Sequence, residues 1–144
     1  MIKQLSFFFC GLFIWSMALE GQNINISGNP STMTISTATA GSPPNSVTDT
    51  STTYSLDLIS VLSKIVGSID SNMPTGLTLK VQLAPPLLTT STQQTMTTTP
   101  KDLITNIGVI VSLGGLQITY TLEATAQAAA QSGSRTLTLA IVPQ

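Results

Sequence analysis

Residues 77–83 read LTLKVQL. Leu77, Leu79, Val81 and Leu83 fall on one side of an extended chain, and Thr78, Lys80 and Gln82 on the other. That period of two marks a strand that buries one face and wets the other. Just upstream, DSNMPTG at 70–76 gathers Asp, Ser, Asn, Pro and Gly, residues that set or tolerate turn dihedrals. KIVGSI at 64–69 supplies a partner, so residues 65–83 are expected to form a β-hairpin with a long turn.

The same pattern recurs toward the C-terminus. VIVSL (109–113), the pair Gly114-Gly115 and LQITYTLEA (116–124) predict a second hairpin, with the glycines supplying the positive φ of a tight turn. Leu116, Ile118, Tyr120, Leu122 and Ala124 share its inward face. RTLTLAIV (135–142) closes the chain with Leu137, Leu139 and Ile141 on one face. Between these strands, Ala126 to Ser134 has the alanines of a helix but not the ~12 residues that a helix needs to stand alone in water. It has no N-cap and no apolar stripe, and is read as a slack loop joining two antiparallel strands.

Toward the N-terminus, NINIS (23–27) and TMTIST (32–37) read as short strands around Gly28-Asn29-Pro30. TTYSLDLI (52–59) places Tyr54, Leu56 and Leu58 inward and Asp57 outward. ISVLSKIV (59–66) has helical spacing at Ile59, Leu62, Ile65 and Val66, but it is short and β-branched, which favours strand or irregular chain. APPLLTTSTQQTMTTTPKD (84–102), with Pro85, Pro86 and Pro100, reads as a crossover loop holding one edge strand, QTMTT. About eight short strands and no long helix give an all-β fold. An antiparallel β-sandwich is expected, with a small barrel as the alternative.

The first residues stand apart. MIKQLSFFFCGLFIWSMA has a lysine at position 3, an apolar run from Phe7 to Trp15, and Ser16 and Ala18 in small-x-small spacing. This is the form of a secretory signal peptide over 1–18, with cleavage as late as Gly21 also compatible. The run is well short of the ~20 apolar residues that span a bilayer. The remaining 19–144 is expected to be one domain, exported to the cell surface or envelope, with no membrane span.

Composition narrows the chemistry. The chain has no histidine, and its one cysteine, Cys10, lies in the leader. The commonest general base and the commonest zinc ligands are therefore missing from the mature chain. Asp49, Asp57, Asp70, Asp102 and Glu123 fall singly along it, with no spacing that asks for a catalytic pair or a calcium loop. Asp70-Ser71-Asn72 is explained by turn chemistry. Five cationic and six anionic residues give a net charge of −1, which speaks against nucleic acid. Beyond Trp15 the only aromatics are Tyr54 and Tyr120, both at inward positions, so no stacking platform for sugars is expected. Threonine pairs such as Thr119/Thr121 lack the fixed repeat of a flat ice-binding array. No catalytic residue, cofactor or metal is expected, and the protein reads as a non-enzyme.

The leader, the Thr/Ser-rich, charge-poor remainder, NMPTGLTLKVQLAPP (72–86) and LQITYTLEATAQAAAQSGSRTLTLAIV (116–142) together resemble secreted bacterial fimbrial or pilin-like subunits. The resemblance implies an immunoglobulin-like sandwich and a structural or adhesive role. It also implies partners that are other copies or other surface subunits, joined by strand pairing. The segment it would use is GQNINISGNPSTMTIST (21–37), where Ile24, Ile26 and Gly28 alternate on one side. The sequence departs from the pattern in having no disulfide and in ending Val142-Pro143-Gln144, without a penultimate tyrosine. The alternative reading is a monomeric extracellular or envelope binding module acting through loops 40–53 or 84–102.

Overall fold

The computed structural model describes residues 22–36, 42–129 and 131–144. The leader expected over 1–18 and its cleavage sites lie outside them. Nine strands form: β1 (Asn23–Ser27), β2 (Val47–Ile59), β3 (Ser63–Ile69), β4 (Leu77–Leu83), β5 (Thr90–Ser91), β6 (Gln94–Thr95), β7 (Lys101–Ile107), β8 (Ile110–Ala124) and β9 (Leu137–Pro143). They build two antiparallel sheets packed as a sandwich. One has the order β1-β2-β8-β4-β6 and the other β5-β7-β3-β9.

After β2 the chain changes sheets at every connection. Both expected hairpins are therefore absent. KIVGSI and LTLKVQL sit in opposite sheets, and the turn chemistry at 70–76 makes an arch between them, with Leu77 N–H donating to Pro74 O at 3.0 Å. Packed sheets lie about 10 Å apart, which two or three extended residues bridge. The pair Gly108-Val109 between β7 and β8 and residues 60–62 between β2 and β3 are such bridges. An arch and a hairpin need the same turn residues, so composition alone does not separate them.

The second hairpin fails for a different reason. Gly114 and Gly115 lie inside the continuous strand β8, not at a turn. The pairing of β2 with β8 steps from Tyr54↔Leu116 to Leu56↔Leu113, so the two glycines face the single residue Ser55 as a β-bulge, with Gly115 at φ +74°. A bulge of opposite sense, at Thr50-Ser51 between Asp49↔Tyr120 and Thr52↔Ile118, restores the register. Beyond the glycine bulge β2 bends again. Leu58 adopts φ +56° and is 57 % exposed, not inward as alternation requires, while Ile59 takes the buried place.

The core lies between the inner faces. Leu56, Val81, Leu83 and Ile118 of the larger sheet meet Ile65, Leu103, Ile104 and Ile107 of the smaller. Tyr54 and Tyr120 are buried, as their inward positions require. Gly67 in β3 lets this packing close, because a Cβ there would lie 2.6 Å from Leu103 Cδ1. β9 pairs with β3 from Ser63↔Pro143 to Ile69↔Leu137, and Leu137, Leu139 and Ile141 pack on the core. It lies in the other sheet from β8, across from β1, and does not pair with β8.

The alanine-rich connection is a loop, as expected, but it is not slack. Thr125 N–H donates to Gly76 O at 2.8 Å, Ala128 N–H closes a turn on Thr125 O at 3.1 Å, and a Cβ on Gly76 would meet Ala128 Cα at 2.9 Å. The small residues allow that close approach. QTMTT contributes the short edge strand β6, and β5 is a second short edge in the other sheet. Residues 32–36 form no strand and join no sheet, where a strand was expected; position 37 lies outside the described residues.

Candidate functional site

The strand-exchange candidates Ile24, Ile26 and Gly28 fall on or just after β1. This strand runs along the edge of the larger sheet, from Asn23↔Asp57 to Ser27↔Thr53. Ile24 is half-buried against the core, whereas Ile26 is 47 % exposed. Gly28 stands at φ +82°, where its missing Cβ leaves room for Ser51 O. Polar ties supplement this single apolar anchor. Asn25 Nδ2 donates to Asp57 Oδ2 at 3.2 Å, and Ser31 N–H to Asp49 Oδ2 at 3.1 Å. The strand is short, peripheral and paired with β2 of its own chain.

Met33 and Ile35, beyond Gly28, point inward and line a cleft of about 560 Å³ at one end of the sandwich. Its other walls are Met73 and Leu77 from the β3–β4 arch, Leu122 from β8, and alanines of the β8–β9 loop. Arg135 is the one charged residue in the lining. Its guanidinium donates to backbone carbonyls, Asn72 O at 2.9 Å and Ser134 O at 2.7 Å, and no carboxylate among the described residues lies within ion-pair distance of it.

The opposite end differs. It carries the β2–β3, β4–β5 and β7–β8 connections, and the described chain enters there, because Asn23 pairs with Asp57 near the end of β2. Leu58, Val61, Leu62, Leu87, Leu88, Val109 and Val111 are all exposed at this end, and among the described residues only Ile26 is a large exposed apolar side chain elsewhere. The register Asp57↔Ser112 and Ile59↔Ile110 sets Leu58 beside Val111. Leu87 and Leu88 are 93 % and 100 % exposed at the tip of a turn closed by Thr89 N–H on Pro86 O at 3.3 Å, with Leu88 at φ +64°. The base of that loop is fixed by the Tyr54 hydroxyl, which donates to Ala84 O.

The carboxylates do not converge, and no group of three or more metal-ligating side chains occurs among the described residues. Asp102 pairs with Lys64 at 3.0 Å and Glu123 with Lys80 at 2.8 Å, both at the surface, where such pairs contribute ~0–1 kcal/mol. Asp70 accepts the N–H groups of Ser71 and Thr136, and Asn72 Oδ1 accepts that of Thr98, so this triplet is occupied in ordering its turn. The Ser51 hydroxyl and N–H, with Ser31 N–H, hold the exposed Asp49 carboxyl below its ordinary range against slight desolvation. Burial pushes the phenols of Tyr54 and Tyr120 up, so neither is poised for proton transfer at neutral pH.

No family model, no curated protein and no solved structure matches the chain. The functional reading rests on this geometry and on the sequence.

Sequence reasoning reached β1 and named the loop 84–102, but it missed the division between the two ends. The signal was present in LL at 87–88 and V-x-V at 109–111, aliphatics at positions that strand alternation does not bury.

Proposed function

We propose that the protein is a non-catalytic, exported structural or adhesive subunit of the bacterial surface, fimbrial-like and related to immunoglobulin-like pilin domains, and that it pairs strands with other copies or subunits. One observation carries this reading. β1 is a five-residue edge strand with one half-buried apolar anchor, and so is a strand readily traded between copies. Ile24, Ile26 and Gly28 are the exchanged positions. Lifting β1 exposes one isoleucine and leaves the β2–β8 pairing intact.

The test is electrophoresis without boiling, together with electron microscopy, of protein expressed from its full reading frame. Strand exchange gives ladders that vanish when residues 23–27 are deleted while the far-ultraviolet spectrum stays that of a folded β-protein. A chain that stays monomeric at high concentration, with the deletion merely unfolding it, overturns the reading. A monomeric binding module is the second reading, favoured by Leu87 and Leu88 at the tip of the 84–89 loop.

A further inference from the structure

The larger sheet ends on β1 and β6, and the smaller on β5 and β9. β5 and β6 are two residues long and β1 five, whereas β9 runs for seven, in unbroken register with β3. It holds no charged residue, no bulge and no proline before its last position, the devices that keep an exposed edge from pairing with another chain. Backbone bonds at the two ends of the register fix which of its polar groups are already used. Asp70 N–H donates to Thr136 O at 3.1 Å, and Gln144 N–H to Leu62 O at 3.0 Å. Bonded and non-bonded pairs alternate in an antiparallel ladder, so Thr138, Ala140 and Val142 turn their N–H and C=O toward β3. Leu137, Leu139 and Ile141 turn theirs the other way, where no backbone partner stands among the described residues. We propose that this edge is a dimer interface, at which β9 of one copy pairs antiparallel with β9 of a second about a two-fold axis through Leu139.

The edge itself selects this occupant. Only an extended chain offers donors and acceptors at the two-residue spacing of Leu137, Leu139 and Ile141. Centred on Leu139, the register sets Leu137 of each copy opposite Ile141 of the other, so all three N–H and all three C=O groups are used at once. A shift of two residues either way loses a pair or brings in Pro143, which has no N–H. The strand carries no charge, so a copy meets no repulsion from itself. The side chains agree with the backbone. Leu137, Leu139 and Ile141 face the core yet are only half-buried, whereas Ile69 and Ile65, their register neighbours on β3, are buried. Across from β9, β1 leaves Ile26 half-exposed on the same flank of the sandwich. A second β9 covers that flank and joins two four-stranded sheets into one. The contact is isologous and closes at two copies. It goes beyond the subunit reading and uses a different edge from β1.

The experiment is sedimentation velocity over a concentration series, using protein expressed from its full reading frame. Thr138 and Ala140 alternate with the core-facing residues and so lie on the outer face of β9. In the proposed register Thr138 of each copy stands opposite Ala140 of the other. The variants are Thr138→Lys/Ala140→Lys and Thr138→Glu/Ala140→Glu, each checked for folding by circular dichroism. Either one alone sets like charges opposite each other and should dimerise roughly tenfold or more weakly than the wild type. An equimolar mixture of the two should restore dimers. Amide exchange of the wild type gives a second reading that needs no variant. The N–H groups of Leu137, Leu139 and Ile141 should become protected as concentration rises. Variants that associate as the wild type does, or a mixture no better than its components, overturn this proposal and leave the subunit reading standing, because β1 exchange is indifferent to these charges. Amides of Leu137, Leu139 and Ile141 that exchange freely in the associated protein overturn it in the same way. Wild-type protein that is monomeric throughout overturns both readings.

Discussion

Gly76 and Leu88 occupy turns with the same backbone requirement at opposite ends of the sandwich. Gly76 sits at φ +85° at the cleft end and Leu88 at φ +64° at the cap end. At Gly76 the residue without a Cβ is used, and the alanine loop packs directly on it. At Leu88 a bulky side chain takes the same left-handed region and is fully exposed. The first choice favours stability; the second spends it, because a left-handed non-glycine residue costs ~1–2 kcal/mol with no contact in the chain to offset it. Leu58, at φ +56°, takes the same region with its side chain more than half exposed beside Val111. The contrast teaches that the cleft end is built to hold the fold together, and the cap end to present apolar side chains.

The contrast breaks most completely if the strand that leaves the cleft end after the alanine loop is removed. Truncation after Ser134 removes β9, which exposes the β3 edge and takes Leu137, Leu139 and Ile141 from the core. A fully buried aliphatic contributes ~1.5–3 kcal/mol and these half-buried three somewhat less each, but their sum and the lost β3–β9 pairing are set against a total stability of ~5–15, so the truncated chain is expected to be unfolded by circular dichroism. Next in size, Gly76→Val puts a β-branched residue at positive φ and drives its Cβ against Ala128, and a loss of about 2–4 kcal/mol in urea denaturation is expected. An unchanged midpoint would show that the alanine loop is not docked. At the other end, Leu88→Gly relieves the strained φ and adds unfolded-state entropy, so stability should be unchanged or rise by about 1 kcal/mol. A clear fall in stability would mean that Leu88 packs within its own chain.

The smallest effect concerns pH. Asp49 has its folded-state pKa lowered from the ordinary 3.8, chiefly by Ser51. A depressed carboxyl contributes stability that is present above the unfolded value and lost as pH falls through the folded one. Acidification below about 4 should therefore free Ser31 and the segment leading to Met33, next to the cleft, while leaving the cap unaffected. Amide exchange of residues 29–35 against residues 84–89 reads this difference, and Asp49→Asn should abolish it.

The sandwich was legible in the sequence because period-two alternation depends only on which face meets the core. Leu77 to Leu83 and Leu116 to Leu122 show this, and both tyrosines lie where alternation puts them. Strand partners were not legible. Gly114-Gly115 has the composition of a hairpin turn, yet it serves as a bulge, because β2 and β8 are both long and continue past it. DSNMPTG likewise builds an arch, since nothing in its residues fixes whether the next strand stays in the sheet. For the candidate site, β1 and the loop 84–102 could be found by position. The cleft could not, since Met33, Met73, Leu122 and Ala126 converge only through the sheet-switching path of the chain.

Disulfide trapping tests most directly whether β1 pairs with β2 of its own chain or of another copy. The chain's only cysteine is Cys10, so a Cys10→Ser background with Asn25→Cys and Ser55→Cys carries one thiol on each side of a β1–β2 register pair. Mild oxidation of the double variant is expected to give a ladder of covalent multimers, and each single variant should give none. Monomers only from the double variant, cross-linked within one chain, would contradict strand exchange.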